Sequence, residues 1–195
     1  MKFYTLIVIE NGKLRTYRLG DRESWVIGRP ANGNVPDISL DVSTVSRMHG
    51  ELKNMDGEWF YLDHNGKNGT VCNGKHIAPA RNGKNRPIGL NDGDVLIFGG
   101  GETAAINSKT VWAMFSSKDC CGSWKMMDTK GLSDLLVRQG NMARELHEPL
   151  KGTVVDTGTA IMIYMGDISY IFGNIMLSGR KRPTGAPDAS GEQTR

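Results

Sequence analysis

Trp59-Phe60-Tyr61-Leu62-Asp63-His64-Asn65-Gly66-Lys67-Asn68-Gly69-Thr70-Val71-Cys72-Asn73-Gly74 runs from an aromatic, β-rich segment straight into three Asn-Gly pairs. Asn-Gly is the strongest short hairpin signal, because both residues tolerate the positive φ of a type I′ turn. Further pairs stand at Asn11-Gly12, Asn32-Gly33 and Asn82-Gly83, which makes six before residue 84. Between them lie short β-rich runs at 3–9, 14–19, 24–27, 50–53, 59–63 and 94–98, and a last run at 110–115 closes the set. Their spacing predicts an antiparallel β-sandwich. The 25 glycines among 195 residues, well above the average of about 7%, agree with many tight turns.

Lys and Arg number 24 against 21 Asp and Glu, a net charge of +3. That balance calls for neither nucleic acid nor an anionic membrane as partner. Cys72, Cys120 and Cys121 form an odd set with two neighbours in sequence, which bridge each other only with strain. A disulfide framework is therefore not expected, and a reducing compartment is. The apolar run at the N-terminus is too short for a signal peptide and reads as a strand, so a cytoplasmic protein is expected.

The character changes after residue 116. Leu132, Leu135, Leu136, Ala143 and Leu146 recur at helical spacing, with Ser133 and Asp134 near the start, Gly140-Asn141 as a break and Pro149 at the end. Ala160 to Met165 and Ile168 to Leu177 are apolar runs joined by Gly166-Asp167, which suits a type II′ hairpin. The alternative, a transmembrane helix over 159–177 with Arg180-Lys181-Arg182 as its flank, is opposed by the mid-span charge of Asp167. The expected organisation is a sandwich over 1–115, a small helix-plus-β-hairpin extension over 116–178, and a disordered tail over 179–195, rich in Gly, Pro, Ser and charge.

Three polar loops stand out. Gly28-Arg29 ends a strand and opens a Gly/Asn/Pro-rich loop; Ser46-Arg47-Met48-His49 directly precedes a strand; Asn65-Gly66-Lys67-Asn68-Gly69-Thr70 follows one. In a sandwich, loops at alternate strand ends gather at one edge. Guanidinium forks, a serine hydroxyl, an ammonium, an amide and backbone donors, with no acid among the nearest groups, are what a phosphate dianion needs.

Gly28-Arg29, Ser46-Arg47-Met48-His49, Asn68-Gly69-Thr70 with Asn73-Gly74, and Leu90-Asn91-Asp92-Gly93-Asp94 before the apolar run of Val95 to Phe98 together resemble the signature of the forkhead-associated (FHA) domain family. The resemblance spans about residues 1–115. It implies a β-sandwich of about 11 strands that binds phosphothreonine peptides through its apical loops. Carried over residue by residue, Arg29 and Ser46 hold the phosphate, Arg47 adds a contact, and Asn68 hydrogen-bonds the peptide backbone. His49 braces the serine loop, and Gly28 and Gly69 permit the tight backbone. Many members carry Ser-Thr where this chain has Gly66-Lys67, so Lys67 is expected to replace a hydroxyl contact by a point charge.

The implied function is phosphothreonine-dependent protein–protein interaction downstream of a Ser/Thr kinase, with no catalysis and no cofactor. Ser46 has no basic partner at recognisable spacing. His49, His64, His76 and His147 form no metal-ligand spacing with the cysteines; Cys72 and His76 lie four apart, across an Asn-Gly turn. Trp25, Trp59, Trp112 and Trp124 read as core rather than base-stacking residues, and Met126-Met127 and the methionines of 162–165 as adaptable packing. The competing reading is a phospho-independent scaffold, binding through a sheet face or through the extension. Self-association through the extension is a further expectation.

Overall fold

The computed structural model describes residues 3–77, 86–100, 109–119, 124–139, 150–156, 160–164 and 169–173. In chain order the first part comprises β1 (Tyr4–Glu10), β2 (Lys13–Leu19), β3 (Ser24–Gly28), β4 (Ile38–Ser39), β5 (Gly50–Met55), β6 (Glu58–Asp63), β7 (Thr70–Cys72), β8 (Lys75–His76), β9 (Ile88–Gly89), β10 (Val95–Phe98) and β11 (Val111–Ser116). These form a six-stranded sheet of order β2-β1-β11-β10-β7-β8 and a five-stranded sheet of order β4-β3-β5-β6-β9. All pairings are antiparallel except β3 with β4. The expected sandwich of about 11 strands is what the chain forms.

The extension adds β12 (Lys125–Asp128), α1 (Thr129–Gln139), β13 (Thr153–Asp156), β14 (Ala160–Tyr164) and β15 (Ser169–Gly173). The hairpin is β14 with β15, in the register Tyr164↔Ser169; its turn lies outside the described residues, as does the tail. The described residues of the two apolar runs are thus strands, and no described helix is long and apolar enough to cross a membrane. Beside the expected helix and hairpin stand two strands the periodicity did not reveal, β12 and β13, paired in parallel through the helix. The helix starts earlier than Ser133 suggests, because the Asp128 carboxylate accepts the Gly131 N–H at 2.7 Å and caps it. Ala143, Leu146 and Pro149 lie outside the described residues.

Side chains alternate between two cores. Leu6 and Val8, Leu96 and Phe98, and Val111, Ala113 and Phe115 face the sandwich interior with Trp59 and Tyr61. Ile7 and Ile9, Val95 and Ile97, and Trp112 and Met114 face the other way, against Val154, Ile161 and Ile163 of the extension. The helix then covers the far side of that small sheet through Leu132 and Val155, with Met127 and Met162 alongside. The six-stranded sheet is therefore an internal layer. This explains why 3–9, 94–98 and 110–115 read as near-continuous apolar runs, the pattern of strands buried on both faces. Trp59 and Trp112 are each 2% exposed, and Trp25 and Trp124 pack against the cores.

The turns correct one expectation. Both residues have positive φ at Asn11-Gly12 (49° and 70°) and Asn73-Gly74 (49° and 77°), as a type I′ hairpin requires. Asp56-Gly57 does the same between β5 and β6 (54° and 87°). At 32–33 and 68–69 only the glycine has positive φ, and at 65–66 only the asparagine does. The pairs at 65–66 and 68–69 shape a loop rather than tight hairpins, whereas Asn32-Gly33 makes a two-residue turn of another type, closed by the antiparallel bridge of Ala31 with Asn34. The pair at 82–83 lies outside the described residues.

Candidate functional site

The loops β3–β4, β4–β5 and β6–β7 meet at one end of the sandwich and are sewn together by their own backbone. Arg29 N–H donates to Ser46 O at 2.9 Å, and His49 N–H to Ile27 O at 2.9 Å. The approach at Gly28 is so close that a Cβ would lie 2.1 Å from Arg47 O, so only glycine fits. Lys67 N–H donates to Ser46 Oγ at 3.3 Å, and the Asn68 amide donates to Thr44 O at 2.8 Å. The Gly69 N–H closes a turn onto Gly66 O at 2.8 Å, with Gly69 at φ 60°. A Cβ on Gly66 would meet the His49 ring at 2.9 Å and Ser46 Oγ at 3.0 Å, which accounts for a glycine beside Lys67.

Arg29 is half-buried; its Nε donates to Val45 O at 3.2 Å, and both Nη nitrogens are without partners among the described residues. Arg47 and Lys67 are exposed, and none of the three cations has an ion-pair partner among the described residues. Two acids of the adjoining strands and loops are engaged or buried, while Asp41 on the β4–β5 loop is exposed. Asp37 pairs with Arg22 at 2.8 Å and accepts the Val26 N–H, and Asp63 is only 6% exposed.

His49 is fully buried and carries the serine loop. Its Nδ1 accepts the Ser46 N–H at 3.1 Å, so Nε2 bears the proton in the neutral ring and faces Gly69 O and Thr70 Oγ1, each at 3.1 Å. Thr70 Oγ1 donates to Asp63 Oδ2 at 2.6 Å, and the Tyr61 hydroxyl lies 2.8 Å from Thr70 Oγ1. Burial, then the Asp63 carboxylate, holds the Tyr61 phenol well above its usual range. This relay from Ser46 to Asp63 binds the second loop to the third. Thr44, Tyr61 and Asp63 were not singled out from sequence, because nothing local marks polar contacts assembled from two strands and the β4–β5 loop. The imidazole grips the serine's backbone and not its hydroxyl, so the pair is not arranged as nucleophile and base.

Burial lowers the His49 pKa, against an opposing pull from Asp63. The unfolded chain therefore takes up a proton near its ordinary pKa of about 6.5 before the folded one does. Stability is complete above that pH and declines as pH falls through it toward the lower folded value. Urea unfolding at pH 7.5 and 5.5 is expected to give the lower midpoint at pH 5.5, with a smaller difference in His49→Gln. Equal acid loss in both proteins would assign the effect to other groups.

The model of the FHA domain family matches residues 25–99, the span that contains all three loops. Residues 25–99 belong to the FHA domain family. Solved structures to which the chain is similar include full-length yeast Pml1p, at 25% identity over 59% of this chain and 81% of that chain (TM-score 0.48). Another is the FHA domain of the CT664 protein from Chlamydia trachomatis, at 19% identity over 58% and 96% (TM-score 0.44). A third is Mycobacterium tuberculosis EmbR in complex with a low affinity phosphopeptide, at 23% identity over 60% and 25% (TM-score 0.43). No curated protein matches the chain.

The remaining motif residues of the FHA domain are structural. Asn73 donates its amide to Asp94 Oδ1 at 2.8 Å and accepts the Val95 N–H at 3.0 Å, while Asp94 Oδ2 accepts the Asn91 N–H at 2.8 Å. They lock the β7–β8 and β9–β10 turns at the end of the domain away from Arg29. β1, β2 and β11 lie outside the matched span, yet they supply three of the six strands of the internal sheet.

Proposed function

We propose that this chain is a phosphothreonine-dependent protein–protein interaction module acting downstream of a Ser/Thr kinase, without catalysis of its own. The observation that carries the reading is the trio of cations without carboxylate partners, Arg29, Arg47 and Lys67, on loops joined around Ser46. The outer nitrogens of Arg29 suit two oxygens of one phosphate, Ser46 Oγ adds a hydroxyl, and Asn68 stands where it can meet peptide backbone. Gly28, His49 and Gly69 hold the loops rigid, so little ordering entropy is lost on binding. The sandwich of residues 1–115 supplies the reader, and 116–178 its covering layer. Because that layer occupies the outer face of the six-stranded sheet, a scaffold partner cannot use that face.

The test is an anisotropy titration of a degenerate phosphothreonine peptide library beside its threonine and phosphoserine versions. Phosphothreonine-selective binding is the expected result. Equal binding of all three by folded protein would replace this reading with the scaffold.

Lys67 contributes as an exposed charge, so its share is small and salt-sensitive. Lys67→Thr is expected to lower affinity by about two- to fivefold in dilute buffer and to converge with wild type at high salt. Titrations at two ionic strengths read this directly. A variant with unchanged affinity and salt dependence would remove Lys67 from the site.

A further inference from the structure

Two of the Asn-Gly pairs stand in the same loop, the β6–β7 loop that carries Lys67, and they are held differently. Asparagine before glycine is the pairing in which a side-chain amide is lost most readily, since glycine has no Cβ to hinder attack by its own backbone nitrogen. At Asn68-Gly69 both reacting groups are tied. The Asn68 amide donates to Thr44 O at 2.8 Å, and the Gly69 N–H donates to Gly66 O at 2.8 Å. At Asn65-Gly66 the nucleophile is free, because the Gly66 N–H has no hydrogen-bond partner among the described residues. Asn65 is also exposed, where Asn68 is half-buried. The Asn65 backbone N–H donates to Asp63 Oδ1 at 2.7 Å, a bond that holds neither reacting group. Asn73-Gly74 is tied through its side chain, which is bonded to Asp94 and to the Val95 N–H.

We propose that Asn65 is a site of spontaneous deamidation, whose product weakens the phosphate loops as the protein ages. The effect on binding rests on the phosphothreonine reading above; the chemistry does not. The Gly66 backbone nitrogen gives its proton to hydroxide and bonds to Asn65 Cγ, the Cγ–Nδ2 bond breaks, and Nδ2 leaves as ammonia with a proton from water. Water then opens the cyclic imide. Opening at Cγ gives aspartate, and opening at the main-chain carbonyl gives isoaspartate, in which the chain runs through the side chain. The net change is one water consumed and one ammonia released, with no oxidation or reduction. Either product sets a carboxylate two residues from Lys67, in a loop whose charge otherwise favours an anion. Isoaspartate also adds an atom to the main chain beside Gly66, where there is no slack. A Cβ on Gly66 would lie 2.9 Å from the His49 ring and 3.0 Å from Ser46 Oγ, and Gly66 O receives the turn bond from Gly69. Shifting Gly66 moves the Lys67 N–H that donates to Ser46 Oγ.

The experiment incubates the folded full chain in mildly alkaline buffer at body temperature, beside a sample unfolded in urea. Peptide mass mapping, with fragmentation that tells isoaspartate from aspartate, follows each asparagine. In the folded chain Asn65 is expected to convert while Asn68 and Asn73 stay intact; in urea all three are expected to convert alike. Anisotropy titration of the phosphothreonine library with the same aliquots is expected to show affinity falling roughly tenfold in converted protein, from a like charge and a disturbed hydrogen bond together. Asn65→Gly accepts the φ of 58° at this position and lacks the amide. It is expected to bind as wild type does when fresh and to keep its affinity through incubation. Asn11 and Asn32, exposed before glycines as well, convert in both proteins, so the comparison isolates position 65. An intact Asn65, conversion of Asn68 at the same rate in the folded chain, undiminished binding by converted protein, or an equal decline in Asn65→Gly overturns the proposal. If fresh wild type shows no phosphate dependence, the phosphothreonine reading fails and the claimed loss of affinity with it, while the mass map still decides the reactive site.

Discussion

Arg29→Ala is expected to weaken a phosphothreonine peptide by about 2–4 kcal/mol, roughly 30- to 1000-fold in Kd, and to leave the protein folded. The magnitude follows from what the side chain does. Its Nε is tied to Val45 O, which fixes the guanidinium plane, and its two Nη nitrogens have no partner among the described residues. A fork held in that way meets two phosphate oxygens without first losing rotamer freedom or an existing bond. The fold does not depend on it, because the loop is held by the Arg29 backbone N–H and by Gly28, which alanine at position 29 leaves intact. Arg29→Lys is expected to recover only part of the loss, since an ammonium offers a point charge and no planar pair. Anisotropy titration with one phosphothreonine peptide measures all three proteins. Retention of wild-type affinity by Arg29→Ala would place the phosphate elsewhere.

Thr70→Val is expected to be damaging out of proportion to its size. The substitution keeps the shape and removes one hydroxyl, which donates to Asp63 Oδ2 at 2.6 Å and lies within hydrogen-bond reach of His49 Nε2 and the Tyr61 hydroxyl. All four groups are buried, so water does not replace what is lost. Leaving a carboxylate and an imidazole short of partners inside the protein costs about 2–4 kcal/mol. At about 2–4 °C per kcal/mol for a chain of this size, the midpoint of thermal unfolding should fall by roughly 5–15 °C. Affinity should fall as well, because His49 then holds the Ser46 loop less firmly. Calorimetry and a parallel peptide titration separate the two effects. A midpoint within 2 °C of wild type would show that the relay contributes little.

The seven longer strands of the sandwich were legible because each ends at a strong turn signal and carries apolar or aromatic residues. β4, β8 and β9 are two residues each and β7 three, too short for any periodicity to register. The candidate residues were legible as a set in one respect: Arg29, Ser46, Arg47, Lys67 and Asn68 all lie on loops that the fold gathers at one end. The relay behind them was legible only in part: His49 and Thr70 fall in the quoted motifs, whereas Tyr61 and Asp63 look like ordinary strand residues until the strands are paired. The internal layer had a visible signal that went unread. Ile7, Ile9, Val95, Ile97, Trp112 and Met114 break the inward–outward alternation of a sandwich with one wet face, and only a further covering layer accounts for them. The helix start was missed for a local reason, as the capping carboxylate, Asp128, also ends a strand.

A sheet clad on both sides has a consequence for how the molecule breathes. Opening β10 or β11 requires lifting apolar side chains out of two cores at once, so local opening there approaches global unfolding in cost. Amide protons of Leu6 to Ile9, Val95 to Phe98 and Val111 to Phe115 should be the last to exchange with deuterium, well behind those of β3 and β5, whose sheet has one side uncovered among the described residues. Phe98 sits at the end of β10 nearest the charged loops, edge-on to the His49 ring at 5.6 Å. The charged loops are thereby moored to the slowest-moving part of the chain, so a ligand meets a surface shaped before it arrives.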